Sequence, residues 1–260
     1  MSPTPPLTFL GDLDRQLLSA GYAVLDAASL RALAALDATA PARWAALWQT
    51  LPPDPHLRDG GRYRYRRHGC FVVVAAPADA TTTATAPARV SAAPARPHWQ
   101  PIEYNALHGG LERWFEPLPP ALARDPDWAA LLAALGGVAA RLRGSAPDEP
   151  WYVEAHPFRI DTADGIGRPT PEGAHRDGVD LVAVVLVERH AIKGGETRVF
   201  DVRGPQGLRF TLDEPWSVLL LDDERVIHES TPIQPLAPGV PGWRDTLVLT
   251  FRRDGFQGPG

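Results

Sequence analysis

The chain has 260 residues, a formal net charge of -5 and one cysteine, Cys70. The acidic balance argues against a partner that is a nucleic acid or an anionic membrane, because binding to either depends on clustered cations. A single cysteine excludes an intrachain disulfide framework and a cysteine-based metal cage, and no apolar run reaches the roughly 18 residues that a membrane-spanning helix needs.

The first half of the chain is rich in predicted helices. The Pro-rich segment 1–8 lacks the cationic start and the apolar centre of a secretory signal, so a cytoplasmic location is expected. Segment 77–97 consists mainly of Ala, Thr and Pro. It predicts a long loop, and a lid over a site and a plain insertion fit it equally well. Apolar spacing predicts helices over 12–20, 29–36, 41–51, 111–115 and 126–142, and strands over 22–25, 62–67 and 71–76.

The second half of the chain, after a linker over 145–150, is rich in predicted strands. About seven short strands at intervals of about 8–12 residues are typical of a β-sandwich or jelly roll. The predicted fold is α+β and mainly β. It has a double-stranded β-helix (jelly-roll) core over 151–253, with the N-terminal helices of 1–150 packed outside. The whole chain, 1–260, is expected to form a single domain.

A candidate metal site begins with His175 and Asp177. They are two positions apart, so on an extended segment both side chains leave the same face. One imidazole and one carboxylate make up two thirds of a facial triad for non-haem Fe(II). Such a pair is common by chance, so its meaning depends on a third ligand. Of the two downstream histidines, His190 lies beside a predicted Gly-rich turn, whereas His228 follows a short predicted strand and is the better candidate.

A candidate anion site lies on the last predicted strand, 244–253. In a jelly roll this strand can lie beside the metal ligands. Arg244, 16 residues after His228, can hold a distal carboxylate through two hydrogen bonds. Thr246 shares its strand face and can donate another. A strand-end arginine is more often simply solvated, and two further arginines end the same strand, so this assignment depends on the order of strands in the barrel.

These residues, in their order and spacing, resemble the iron(II)/2-oxoglutarate-dependent dioxygenases over roughly 151–253. The resemblance is carried by His175-x-Asp177, Gly194-Gly195-Glu196-Thr197, His228 and Arg244. Further segments are similar to the bacterial branch of that family that includes the L-isoleucine dioxygenase, namely Pro171-Glu172-Gly173-Ala174-His175-Arg176-Asp177-Gly178, Arg62-Tyr63-Arg64 and Phe115-Glu116-Pro117-Leu118.

The resemblance implies a jelly-roll enzyme that uses Fe(II), 2-oxoglutarate and O₂. His175, Asp177 and His228 would bind the iron, and Arg244 with Thr246 would bind the 5-carboxylate of 2-oxoglutarate. The implied reaction is hydroxylation or sulfoxidation of a small free L-amino acid with an aliphatic or thioether side chain. Related halogenases lack the carboxylate ligand, so the presence of Asp177 favours hydroxylation.

The substrate pocket follows less directly from the sequence. A free amino acid needs a cation for its carboxylate and an acceptor for its ammonium group. His156 shares one face of a predicted strand with Glu154, which points it into the barrel, although a packed core histidine is at least as common. The alternating arginines of 62–66 favour a solvated strand face over an anion clamp. The candidate substrate-binding residues are His156, Arg159, Arg176, Asp180 and Arg64.

Two other classes of protein fit parts of the pattern. A non-catalytic jelly-roll sensor that keeps a metal site would not need Arg244. A cupin-type metalloenzyme that does not use 2-oxoglutarate usually has three or four histidine ligands, whereas here a His-x-Asp pair is the anchor. The sequence identifies neither the amino acid nor the atom that is oxidised, and it is compatible with a homo-oligomer.

Overall fold

A computed structural model of the chain describes residues 3–74, 88–105, 107–146 and 148–259. Residues 77–87 of the predicted loop lie outside this part. The described helices are α1 (Leu13–Ala20), α2 (Ala27–Ala34), α3 (Ala40–Ala45), α4 (Pro120–Ala123) and α5 (Pro126–Arg143), with 3-10 turns at Leu10–Asp12 and Ala46–Thr50. The described strands are β1 (Tyr22–Leu25), β2 (Arg64–Arg66), β3 (Gly69–Val74), β4 (Arg89–Ala92), β5 (Pro150–Asp161), β6 (Leu181–His190), β7 (Ile192–Gly194), β8 (Thr197–Asp201), β9 (Gly207–Phe210), β10 (Val218–Asp222), β11 (Val226–Ser230), β12 (Ile233–Pro235) and β13 (Trp243–Arg252).

The described strands form one large sheet and two small ones. The large sheet has 8 strands in the order β1-β10-β6-β13-β5-β3-β4, and β2 pairs with β5. A second sheet contains β11, β8 and β9, and β12 pairs with β7. The pairs between strands are antiparallel. This architecture confirms a mainly β fold with some helices.

The large sheet also contains strands from the first half of the chain. The sequence predicts strands there but does not place them in the core sheet, so the observed sheet extends beyond the predicted core of 151–253. On one side, β5 pairs with β13, and on the other side it pairs with β2 and β3. A strand with an uncovered edge leaves its N–H and C=O groups unpaired. The first half of the chain supplies the strands that cover the second edge of β5.

Two apolar clusters cover opposite faces of the large sheet. All residues of β10 are buried, because successive side chains of a strand point to opposite faces and both faces are covered. Val218 and Leu220 belong to a cluster that includes the helices, whereas Leu219 and Leu221 pack in a second cluster with Val199 of β8. Helices therefore lie against one face of the sheet, and the small sheet lies against the other.

The longest helix, α5, packs closely on the helical face of the sheet. Asp125 caps it by accepting a hydrogen bond from the backbone N–H of Asp127 at 2.9 Å, and Gly144 ends it with a φ of 62°. A Cβ atom at Gly136 would lie 3.0 Å from Cγ1 of Val73, so the missing side chain allows this close approach. Within the described ranges, no helix is both long and apolar enough to cross a membrane.

Strand β5 presents an apolar face and a polar face. Trp151 and Val153 are fully buried in the cluster that contains the helices. The alternate residues Glu154, His156 and Phe158 line a cavity on the opposite side. The neighbouring strands β2 and β13 add polar side chains to the same wall. Strand alternation thus places a polar site inside an otherwise apolar framework.

Candidate active site

His175, Asp177 and His228 lie together on the wall of this cavity. His228 is on β11, and the His-x-Asp segment runs beside it as a loop rather than as a strand. Two backbone hydrogen bonds join them, from the His175 N–H to the His228 carbonyl (3.1 Å) and from the His228 N–H to the His175 carbonyl (2.9 Å). The Nε2 atoms of His175 and His228 lie 3.8 and 3.9 Å from the carboxylate oxygens of Asp177. These separations are too long for hydrogen bonds and leave room for a cation between the side chains.

Hydrogen bonding and burial prepare these side chains for a metal. The His175 Nδ1–H donates to the carbonyl of Gly173 at 2.9 Å, which leaves the lone pair on Nε2, on the side of Asp177. Burial lowers the pKa of His228 well below its usual value, so this imidazole is neutral, as a metal ligand must be. Burial raises the pKa of Asp177, and His175 acts against it. Two imidazole nitrogens and one carboxylate fit the facial triad of Fe(II).

Asp223 and Gln100 hold Asp177 in position. The Asp223 carboxylate accepts backbone hydrogen bonds from Asp177 (3.0 Å), Gly178 (2.7 Å) and Val179 (3.1 Å). Burial and the nearby Asp177 carboxylate raise the pKa of Asp223 to about 7, and the three N–H groups act in the opposite direction. The side-chain amide of Gln100 donates to Oδ1 of Asp177 at 2.9 Å. Both contacts are of the kind that orients a ligand before metal arrives.

Replacing Asp223 by alanine is expected to weaken Fe(II) binding about 10–100-fold, the usual cost of losing a partner that orients a metal ligand. Without the carboxylate, the backbone of Asp177 and Gly178 loses its anchor, so the Asp177 side chain is no longer held in place. An anaerobic Fe(II) titration of the apoprotein measures the effect. Asp148→Ala, at an exposed position, is the matched control. An unchanged affinity in folded Asp223→Ala would contradict the role.

Arg244 is a buried cation on the cavity wall, and no carboxylate in the described part of the chain forms an ion pair with it. Its side chain is on β13, and burial followed by repulsion from Arg189 lowers its pKa to about 10. Among the described residues, its Nε and Nη2 atoms have no hydrogen-bond partner. Thr246, two positions further on the strand, lines the same cavity. A buried, unpaired guanidinium is costly unless an anion joins it, so this end of the cavity is suited to a carboxylate.

Three histidines surround one carboxylate at another part of the cavity wall, and we call His68, His98, Glu154 and His156 the imidazole cage. The Oε2 atom of Glu154 lies 3.1 Å from His68 Nε2, 2.6 Å from His98 Nδ1 and 3.4 Å from His156 Nε2. Burial lowers the pKa of His98 to about 3. Burial alone would raise the pKa of Glu154, but the histidines outweigh it and hold this pKa well below its usual range. Glu154 therefore supplies a negative charge inside the imidazole cage.

Arginines add positive charge beside the imidazole cage. Arg64 and Arg66 are only 5% and 3% exposed, so the solvated strand face that the sequence favours is wrong for these two residues. Arg64 pairs with buried Asp54 at 2.7 Å, and the Arg66 guanidinium lies 3.9 Å from the ring centroid of Phe115. Arg113 donates to the Oε1 atom of Gln100 at 2.9 Å, and burial lowers its pKa to about 10.

Three predicted substrate residues, Arg159, Arg176 and Asp180, do not line the cavity. Arg159 lies on the opposite face of β5 from His156 and pairs with Asp245 at 2.6 Å. Arg176 lies between His175 and Asp177 in the sequence. Its side chain points away from theirs and lies beside the ring of Tyr104. Asp180 pairs with a helix residue, Arg143, at 2.9 Å. The remaining two, His156 and Arg64, do line the cavity.

Sequence reasoning missed several cavity residues from the first half of the chain. They share a position in short, irregular connections, where no helical or strand period marks their direction. Four of the eight histidines lie between residues 56 and 108, and this density is the signal that could have found some of them. The missed residues that line the cavity are His98, Gln100, Asn105, His108 and Arg113, and His68 was missed beside the cavity residue Glu154.

A β framework that holds two histidines, one carboxylate and a buried arginine in one cavity matches the ligand set of the non-haem iron oxygenases. The family model for 2OG-Fe dioxygenases matches residues 45–250. The chain therefore belongs to the 2OG-Fe dioxygenase family, and it is an enzyme that uses Fe(II) and 2-oxoglutarate. This membership argues against a non-catalytic sensor and against a cupin enzyme that does not use 2-oxoglutarate.

Solved structures share this fold. A BsmA homologue from Methylobium petroleophilum PM1 is 52% identical with a TM-score of 0.88, over 100% of this chain and 99% of that chain. IDO from Bacillus thuringiensis is 15% identical with a TM-score of 0.72, over 95% and 100% of the two chains. The Fe(II)/α-ketoglutarate-dependent dioxygenase TqaL is 17% identical with a TM-score of 0.65, over 94% and 87%. At such low identity, the last two show the fold alone. No curated protein sequence matches the chain.

Proposed function

We propose that this enzyme hydroxylates or sulfoxidises a small free L-amino acid with an aliphatic or thioether side chain. The observation that carries the proposal is a second set of opposite charges in the cavity, besides the metal-ligand candidates and Arg244. Glu154 supplies a carboxylate, and Arg66 and Arg113 supply cations. An amino-acid zwitterion carries its ammonium and carboxylate on one carbon and matches this set. The similarity of short segments to the L-isoleucine dioxygenase branch supports the same substrate class.

We assign the iron to His175, Asp177 and His228 rather than to the imidazole cage. The hydrogen bond from His175 to Gly173 leaves Nε2 free to bind a metal. In the imidazole cage, by contrast, Arg66 donates to Nδ1 of His156 at 2.6 Å. That contact fixes the proton of neutral His156 on Nε2, the atom that faces Glu154, so His156 cannot be a ligand there.

Bound Fe(II) and 2-oxoglutarate supply an O₂-dependent oxidation that transfers one oxygen atom to the substrate and leaves succinate and CO₂. Arg244 pairs with the 5-carboxylate of 2-oxoglutarate, and the hydroxyl of Thr246 donates a further hydrogen bond to it. Since Arg244 is only 4% exposed, this ion pair forms away from water, where it is strong and directional. The pair therefore fixes the orientation of the cosubstrate.

Glu154 and the nearby arginines hold the substrate in this proposal. The Oε2 atom of Glu154 is surrounded by imidazoles, whereas Oε1 accepts no hydrogen bond from the described part of the chain and is available to an ammonium group. The Nε atoms of Arg66 and Arg113 are buried donors without a partner in the described ranges, and they are available to a carboxylate. Val184 and Val248 line the same cavity and suit an aliphatic side chain.

The proposal is tested by O₂-dependent succinate release with single amino acids, followed by mass spectrometry for a product that is heavier by one oxygen atom. We expect release with at least one aliphatic or thioether L-amino acid. Its N-acetyl and C-amide derivatives should be at least about 10-fold poorer substrates, because each loses one member of a buried charge pair. The D-enantiomer, with the same charges, is the matched control. Succinate formed only with a peptide or a carrier-bound aminoacyl group would overturn the free-amino-acid proposal.

A further inference from the structure

We infer that the cavity contains a second divalent-metal site, of the zinc class, formed by His68, His98 and Glu154. This site is separate from the proposed iron ligands, and it goes beyond the proposed function. It uses Oε2 of Glu154, whereas the proposed substrate contact uses Oε1 of the same carboxylate. One ligand atom from each residue of the imidazole cage lies within 4.8 Å of the others. The inference rests on this spacing, on the hydrogen-bonding capacity of one oxygen atom and on the contact between Arg66 and His156.

The spacing of the donor atoms is close to that of a tetrahedral zinc site. With zinc bonds of about 2.0–2.1 Å, two ligand atoms lie about 3.3 Å apart. The Oε2 atom of Glu154 is 3.1 Å from Nε2 of His68 and 2.6 Å from Nδ1 of His98. The first separation is close to this value, and the second has to widen by less than about 1 Å. The ligand atoms of His68 and His98 lie within 4.8 Å of each other.

Hydrogen bonds alone do not satisfy this arrangement. A carboxylate oxygen has two lone pairs, yet three imidazole nitrogens surround Oε2 of Glu154. Among the described residues, the buried Nε2 atom of His156 has no hydrogen-bond partner, although His156 is only 3% exposed. A cation between His68, His98 and Glu154 removes the crowding, because it accepts one lone pair from each.

At this site, His156 supplies a hydrogen-bond donor rather than a lone pair for the metal. A guanidinium can only donate, so the 2.6 Å contact from Arg66 makes Nδ1 of His156 an acceptor and leaves the proton on Nε2. This N–H points towards Oε2 of Glu154, at 3.4 Å, and can donate to a water molecule in the fourth zinc position. Three protein ligands with one open position facing a cavity are typical of exchangeable or catalytic zinc sites.

The donor set and the charge favour zinc over harder cations. Calcium and magnesium prefer sites made of oxygen ligands, whereas two imidazoles and one carboxylate suit zinc. Glu154 supplies the carboxylate that a divalent cation needs beside two imidazoles.

The number of zinc ions bound per chain tests the inference. Metal-free protein is equilibrated with Zn²⁺ and analysed for bound metal after dialysis. Because zinc also binds sites of two histidines and a carboxylate such as the iron site, we expect two ions in the wild type. One ion should remain in the double variant His68→Ala/His98→Ala and one in His175→Ala/His228→Ala. His190→Ala, which changes an exposed histidine, should keep two.

A wild type that binds one zinc ion, or a His68→Ala/His98→Ala variant that binds two, would overturn the inference. Crystals of the wild type soaked in Zn²⁺ show the number and position of the bound zinc ions without any variant. A second anomalous peak among His68, His98 and Glu154 supports the site, and a peak at the iron ligands alone overturns it. Neither readout depends on turnover, so failure to find an amino-acid substrate would leave the metal count unaffected.

Discussion

Replacing His228 by alanine is expected to lower O₂-dependent succinate formation by more than about 100-fold, beyond the usual cost of changing a group that only orients a ligand. The substitution removes one of three proposed iron ligands. The pairing of residues 175 and 228 uses backbone atoms, so the fold and the other two ligands should stay in place. The measurements are the rate of succinate release and the Fe(II) affinity of the apoprotein under anaerobic conditions.

His190→Ala is the matched control for this prediction. His190 is exposed, and its ring stacks on Trp243 with a centroid separation of 4.1 Å, so we expect unchanged activity and unchanged Fe(II) affinity. Full activity in His228→Ala together with its loss in His98→Ala would contradict the assignment and would move the iron to the imidazole cage.

The candidate ligands and Arg244 could be predicted from the sequence because they lie on short, regular patterns. The i, i+2 spacing of His175 and Asp177, and of Arg244 and Thr246, fixes which side chains share a face, whatever the exact fold. His228 was selected by its position on a strand. The structure brings all five side chains to one cavity, although His175 and Asp177 lie on a loop held by backbone hydrogen bonds.

The differences between the predicted substrate residues and the residues that line the cavity have two physical causes. Arg159 could have been excluded by strand parity, because His156 and Arg159 are separated by an odd number of positions and so point to opposite faces. Asp180 could not have been excluded from the sequence, because its ion-pair partner Arg143 lies at the end of a helix that is distant in the chain. Arg113 and His98 were missed because irregular segments show no helical or strand periodicity that would indicate where a side chain points.

A cytoplasmic location and self-association stay predictions, because neither follows from the geometry of the cavity.

Replacing Arg244 by alanine is expected to raise the KM for 2-oxoglutarate by roughly 30-fold to several thousand-fold, which corresponds to about 2–5 kcal/mol for a desolvated charge pair. The effect is large because Arg244 is buried and its Nε and Nη2 atoms have no partner in the described part of the chain. The variant should bind Fe(II) normally, since Arg244 contacts none of the proposed ligands. The KM for 2-oxoglutarate and the Fe(II) affinity are the two measurements.

Arg252→Ala is the matched control, because Arg252 lines the same cavity from the far end of the same strand. Its guanidinium already donates to the backbone carbonyls of Asp254 and Gly255, at 3.3 and 2.8 Å, so it has less need of an anion, and we expect little change in the KM for 2-oxoglutarate. If Arg244→Ala left this KM unchanged and Arg252→Ala raised it, the 5-carboxylate would lie at the other end of β13. The cosubstrate would then be reversed relative to the strand, and the substrate pocket would have to be sought around Arg244 instead of around Glu154.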